Sequence, residues 1–189
     1  MNYLSQALAL LLGLLLDAAA ALFVLRLLAE AARADFHNPF SQFVYRYSNP
    51  VLAPLRRMLP NWRRINLAAL LVTYLILLIK RLALLALAGY SVTPAALLVL
   101  ALADFVDFLL LTWLVLIFGW TLLSMLHPDG YHPLQRFAGA LVAPLLRPLR
   151  GKLVVGMFDF APAVVMLILL LARILIAAPL FDLGMRLAV

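Results

Sequence analysis

The chain of 189 residues is 67% hydrophobic and only 12% charged, with a formal net charge of +7. Soluble domains are roughly 45–50% apolar and about 25% charged, so a water-soluble fold is excluded. The basic residues flank apolar runs, which favours contact with anionic lipid over nucleic-acid binding. The chain has no cysteine, and its three histidines lie outside the apolar runs, so we expect no metal, haem or other cofactor.

Four apolar runs are each long enough to cross a bilayer, which takes about 20 residues. The first is longer than the roughly 7–15 apolar residues of a signal peptide and has no basic segment before it, so we expect it to be retained. Lipid leaves no water to satisfy an open backbone, and the pattern therefore predicts an all-α membrane protein with four transmembrane helices. The predicted spans cover residues 3–29, 67–88, 94–126 and 160–180.

Two long segments, 30–66 and 127–159, connect these spans and together hold ten arginines and lysines. The remaining connection, 89–93, holds none. Basic residues favour the cytoplasmic side, so we predict that both long segments are cytoplasmic and both termini outside. Lys80 and Arg81 oppose this orientation but are outnumbered.

The chain contains an internal repeat that is revealed by shifting the sequence 94 residues against itself. This shift places Pro39, Phe43, Pro50, Pro54 and Arg56 on Pro133, Phe137, Pro144, Pro148 and Arg150. With a shift of 93 residues, Asn66 aligns with Asp159, and each precedes an apolar run as a candidate helix cap. Residues 1–88 and 94–189 are therefore predicted to be two-helix repeats in parallel orientation, since each crosses the membrane twice.

The segment NPFSQFVYRYSNPVLAPLRRMLP, its weaker copy HPLQRFAGALVAPLLRPLR and the polar cap before each following span resemble the YggT family, also called YlmG. The resemblance covers nearly the whole chain. It implies a small bacterial or plastid membrane protein without an assigned enzymatic activity, and here a bacterial inner membrane protein. It also implies links to maturation of a cytochrome b-type complex in plastids, and to envelope organisation, cell division and osmotic tolerance in bacteria.

The two proline-rich segments have the pattern of short amphipathic helices at headgroup level. An apolar stripe at helical spacing marks the first: Phe40, Phe43, Val44 and Tyr47. Pro50 is expected to end this helix, because proline disfavours helix at the preceding residue, and residues 51–59 would form a second piece. Contacts with anionic lipid or a cytoplasmic partner are assigned to Pro39, Phe43, Arg46, Pro50, Pro54, Arg56, Arg57, Pro133, Phe137, Pro144, Pro148 and Arg150. The alternative is an elbow that only sets the entry angle of the next span.

Several charged residues lie within or beside the apolar runs, where ionisable groups are costly. They are Asp17, Arg26, Lys80, Asp104, Asp107 and Arg173. A rise of about 1.5 Å per residue puts Asp17 level with Arg173 and predicts that these two pair. Lys80 is level with Asp104, which predicts a second cluster that includes Asp107. These charges are either structural clamps or parts of an ion path.

Small residues at four-residue steps from Ser5 to Ala21 favour close helix packing, within the bundle or in a homo-oligomer. The sequence shows no nucleophile, metal cluster or phosphate loop, so we expect no enzymatic activity. The leading hypothesis is a scaffold or assembly factor whose basic segments bind anionic lipid or a partner. The alternative is an ion or small-osmolyte pathway, which requires a continuous polar track through the helices.

Overall fold

The computed structural model describes residues 3–126, 129–155 and 158–188. The predicted segment 127–159 and the predicted repeats 1–88 and 94–189 extend over a few residues that lie outside this part of the chain. Four long apolar helices are present, so the chain is an all-α membrane protein with four spans, as predicted. The spans are α1 (Tyr3–Ala32), α3 (Leu67–Ala88), α4 (Pro94–Leu126) and Ala161–Arg186, which comprises α6 (Ala161–Ala172), a π-helical turn (Arg173–Ala177) and α7 (Ala178–Arg186).

A shorter helix connects the two spans of each repeat: α2 (Pro39–Leu55) and α5 (Pro133–Leu146), the elbow helices. Each is followed by a short antiparallel pairing at the corresponding place. Trp62 pairs with Ile65 in the first repeat, and β1 (Val154–Val155) pairs with β2 (Phe158–Asp159) in the second. The backbone therefore follows the same course twice.

Polar side chains open the helices that follow these pairings. The Asn66 side chain accepts a hydrogen bond from the Ala69 amide at 3.0 Å and caps α3. Asp159 accepts one from the Ala161 amide at 2.9 Å, one residue before the cap position. Each bond satisfies an amide that has no partner within its helix.

The elbow helix α2 differs from expectation because it continues through Pro50 and Pro54. Proline removes one amide donor, which frees the carbonyl four residues earlier. Here the freed carbonyls belong to Arg46 and to Pro50, and both residues are exposed, so water or headgroups can satisfy them. The predicted break at residue 50 and the separate piece at 51–59 were therefore wrong.

The two repeats pack their cores with equivalent residues. In the first, α1, α2 and α3 meet in one buried cluster, and α4, α5 and α6 meet in the same way in the second. Three pairs of equivalent positions are Phe23 and Ile117, Leu52 and Leu146, and Val72 and Val165. A third cluster, including Val44 and Phe137, joins the repeats. The sequence repeat is thus also a repeat of packing.

The spans form a row in which α1 packs on α3, α3 on α4, and α4 on α6 and α7. Gly184 of α7 lies close to α4, since a Cβ atom there would be 2.6 Å from Leu100 Cδ2. In the most apolar stretch of each span, only 17–22% of the residues are buried.

Candidate functional site

The end of α1, the elbow helix α2 and the turn before α3 enclose an open cleft of about 650 Å³, here called the basic cleft. Four arginines and two carboxylates line it: Glu30, Arg33, Asp35, Arg56, Arg63 and Arg64. It lies at the boundary of the membrane spans, because Arg33 directly follows α1 and Arg64 stands two residues before the cap of α3.

A buried charge network lies at the inner edge of the cleft. Arg26 is only 1% exposed, and its Nε atom is 2.8 Å from Glu30 Oε1, one helical turn away. Arg56 Nη2 donates to the same carboxylate oxygen. Glu30 therefore neutralises two guanidinium groups, and Arg56 Nε is buried without a hydrogen-bond partner among the described residues.

An aromatic ring covers the buried arginine. The guanidinium carbon of Arg26 is 3.3 Å from the centre of the Tyr45 ring, a cation–π contact. Burial raises the pKa of the Tyr45 phenol above its ordinary value, although the charge of Arg26 acts in the opposite direction. The ring is therefore neutral at physiological pH.

The outer edge of the cleft holds a second carboxylate, Asp35. The backbone N–H of His37 donates to Asp35 Oδ1 at 2.9 Å, and the His37 ring lies 3.1 Å from the same oxygen. These hydrogen bonds lower the pKa of Asp35, so the group is a carboxylate at neutral pH.

Two arginines of the cleft adopt a backbone conformation that favours glycine. Arg33 has φ 54° and Arg63 has φ 53°, and among the described residues no other non-glycine has a positive φ. Such conformations store local strain, which often marks a functional site. Within the same described ranges, Arg33, Arg63 and Arg64 form no ion pair with a carboxylate.

The second repeat differs from the first at the buried arginine and at the ring that covers it. Trp120 stands where the first repeat has Arg26, and Gly139 stands in place of Tyr45. A Cβ atom on Gly139 would lie 2.9 Å from Trp120 Nε1, so the indole occupies the space of the missing side chain. A smaller cavity of about 120 Å³ remains there, beside Arg147 and Arg150.

The two elbow helices are joined at their N-terminal ends. The side-chain amide of Asn38 donates to the Pro133 carbonyl at 2.7 Å, and the rings of Phe40 and Phe137 stack with centroids 6.4 Å apart. Phe137 is only 5% exposed, so this residue forms core and is not available for the surface contact assigned to it. Arg56 is half-buried in the cleft.

The other residues assigned to surface contact are exposed. They are Pro39, Phe43, Arg46, Pro50, Pro54, Arg57, Pro133, Pro144, Pro148 and Arg150. The predicted apolar stripe of α2 divides into two faces, because Val44 is buried whereas Phe43 and Tyr47 are 56% and 57% exposed. The outward face of α2 is thus both aromatic and basic.

Three ion pairs cross the helix row within the spans, and together they form the ion-pair belt. Lys80 Nζ is 2.6 Å from Asp17 Oδ1, which links α3 to α1. Arg81 holds both oxygens of Asp104 at 2.7 and 2.5 Å, which links α3 to α4. A third pair, Arg173 with Asp107, links the π-helical turn to α4 at 2.7 and 3.0 Å.

These partners correct the predicted pairing of Asp17 with Arg173 and of Lys80 with Asp104. The rise per residue predicts the depth of each charge in the membrane, but it does not tell which helices are neighbours. Asp17 lies on α1, which packs against α3, and therefore reaches Lys80. Arg81 projects about 100° around α3 from Lys80 and takes Asp104 instead.

The ion-pair belt follows the repeat. Lys80 and Arg173 are 93 residues apart and occupy equivalent positions, and each pairs with the first span of its own repeat. Arg81 and Asp104 then connect one repeat to the other. All six side chains are between 23% and 36% exposed. Since every charge has a partner, the belt can clamp the four spans together.

Comparison with known proteins agrees with the repeat. The CCB3/YggT family matches residues 5–87 and 99–180. Uncharacterized protein YggT from Escherichia coli strain K12 is 35% identical over 149 residues, which is 77% of this chain and 76% of that protein. An uncharacterized protein from Haemophilus influenzae is 35% identical over 163 residues, 86% of this chain and 87% of that protein. No solved structure matches the chain. The chain belongs to the CCB3/YggT family.

Proposed function

We propose that the protein is a non-enzymatic scaffold or assembly factor of the bacterial inner membrane, which holds a partner protein and anionic lipid at its elbow helices. The strongest support is that contacts made by Asn38 and Phe40 join the two elbow helices into one surface. That surface exposes the aromatic side chains of α2 beside Arg46 and Arg57. Arginine and aromatic residues are enriched where proteins bind other proteins.

The ion-pair belt also favours a scaffold over a transporter. A conducting path needs charges that can change partners, whereas the carboxylates of Asp104 and Asp107 each accept two hydrogen bonds, from the Nε and Nη2 atoms of one arginine. Roles in envelope organisation, membrane-complex biogenesis and osmotic tolerance come from the family resemblance and belong to the same proposal.

We expect both elbows to face the cytoplasm. Single cysteines at Gln42, Arg136 and Ser91, three exposed positions of a cysteine-free chain, test this with an impermeant thiol reagent. In intact cells only Ser91→Cys should be labelled, and the other two only after permeabilisation. Gln135 is unsuitable because it is 8% exposed. The opposite labelling pattern would reverse the orientation.

The proposed contact with a partner protein is tested by placing a photocrosslinking amino acid at Tyr47 in native membranes. Tyr47 is 57% exposed on the elbow surface, and Leu14, 60% exposed within the first span, is the matched control. We expect a discrete adduct with one partner protein from position 47 that is absent from position 14. Adducts with lipid alone at position 47, or the same protein adducts at both positions, would contradict the scaffold.

One observation favours the alternative, an ion or small-osmolyte pathway. Arg173 begins the π-helical turn and, with Asp107 and Phe181, lines an open groove of about 610 Å³. Single π-helical turns often occur at functional sites. Flux through vesicles containing the purified protein, abolished in Arg173→Gln, would establish the pathway. Flux no greater than in protein-free vesicles would exclude it.

A further inference from the structure

We propose that the basic cleft of the first repeat binds the phosphate of a single anionic phospholipid headgroup. This inference rests on the proposed function, since it names the lipid class that the elbow surface would hold and the place where it binds.

The chemistry of the cleft suits a phosphate. Guanidinium groups present two parallel N–H donors that match the oxygens of a phosphate group. Arg33, Arg63 and Arg64 line the cleft without a carboxylate partner among the residues that the structure describes. Glu30 is already engaged by Arg26 and Arg56, so it does not neutralise these three.

The backbone favours a different residue at two of these positions. Arg33 follows α1 in the left-handed conformation, a place where helices usually have glycine. Arg63 is the first residue of the two-residue turn between Trp62 and Ile65, where glycine or asparagine is preferred. With a shift of 93 residues, the residue aligned with Arg63 in the sequence is Gly156. Backbone strain of this kind persists where the side chain has a function. Arg33 and Arg63 both line the basic cleft, so the cleft is where that function is expected.

The surroundings of the cleft select a lipid over a soluble anion. Phe36 lines the cleft and is 58% exposed, and Trp62, beside Arg63, is 62% exposed. Met58, two residues after Arg56, is 81% exposed. Tryptophan and other large apolar side chains are favoured at the level of the headgroups, where one side of the residue contacts acyl chains. A soluble phosphate would gain nothing from this apolar rim.

The site is built from residues of the first repeat. In the second repeat Trp120 and Gly139 replace the buried arginine and its aromatic partner, and the indole closes the space. The second repeat still has Arg147 and Arg150 on its surface. Variants in the two repeats can therefore distinguish a specific headgroup site from general attraction between basic residues and anionic lipid.

The test uses the purified full chain in detergent, with phosphatidylglycerol or phosphatidylcholine added and bound lipid counted by native mass spectrometry. We expect one phosphatidylglycerol per chain and no retained phosphatidylcholine. The double variant Arg33→Gln with Arg63→Gly should bind phosphatidylglycerol at least tenfold more weakly. The control Arg147→Gln with Lys152→Gln, at two exposed basic residues of the second repeat, removes the same charge and should bind it as the unchanged chain does.

The single variant Arg63→Gly tests whether weaker binding could come from misfolding, because glycine readily adopts the backbone conformation of this turn. We expect it to keep or raise the thermal stability of the protein while weakening lipid binding. Equal loss in the cleft and control variants, or full binding by the cleft variant, would overturn the headgroup site. Displacement of the lipid by millimolar inorganic phosphate would instead reveal a soluble-anion site and also overturn it. These outcomes leave the scaffold untouched, since that proposal is tested by protein adducts at Tyr47.

Discussion

Replacing Glu30 with alanine is expected to lower the free energy of unfolding by about 3–5 kcal/mol, the range for removing one partner of a buried ion pair. Arg26 is 1% exposed and would remain in the core without its counter-charge. Arg56, which is 30% exposed, can turn toward water and contributes less to the loss. The measurement is thermal or denaturant unfolding of the detergent-purified protein.

Asp35→Ala is the matched control for that experiment. It removes a carboxylate from the same cleft, but one whose side chain is 53% exposed, so we expect a much smaller change in the free energy of unfolding. If Glu30→Ala were no more damaging than Asp35→Ala, the buried network would not stabilise the fold.

The second large effect is expected in the ion-pair belt. Asp107→Asn and Arg173→Gln should each destabilise the protein by roughly 2.5–3.5 kcal/mol, because each leaves one charge unpaired within a span. The double variant should recover most of that loss, since neither charge is then left alone. Unfolding of the purified single and double variants gives the coupling energy directly.

A second double-mutant cycle in the same protein, with Asp17→Asn and Arg173→Gln, provides the control. Asp17 pairs with Lys80 and has no contact with Arg173, so the effects of Asp17→Asn and Arg173→Gln should add. Strong coupling between Asp17 and Arg173, together with none between Asp107 and Arg173, would show that the spans are arranged differently.

Span positions could be predicted from the sequence because they depend on local properties. A run of about 20 apolar residues crosses a membrane whatever its neighbours are, and Asn66 caps α3 through a bond to a residue three positions away. The ends were less predictable. The first span continues past residue 29 to Ala32, since no strong helix breaker stands before that residue. The last continues past residue 180 to Arg186, because Pro179 lies in the first turn of α7, where proline is tolerated.

The pairing of charges could not be predicted from depth alone. Two residues at one level meet only if their helices are neighbours and both side chains face the contact, and the sequence of one chain contains neither fact. The Arg26 network was missed for another reason. Arg26 and Glu30 are four residues apart on one helix, a spacing that brings opposite charges together, and this local signal could have identified the pair.

The difference between Trp120 and Arg26 has a consequence for ancestry. If a single repeat once assembled as a pair of identical subunits, both subunits had to carry the same residue at this position, and any pocket was present twice. Fusion into one polypeptide removes that restriction, because each half can then change by itself. The first half has an arginine on Tyr45, whereas in the second an indole lies over Gly139. The fused protein is thus pseudosymmetric in its backbone and asymmetric in its chemistry, with a buried arginine in one half and an indole at the equivalent place in the other.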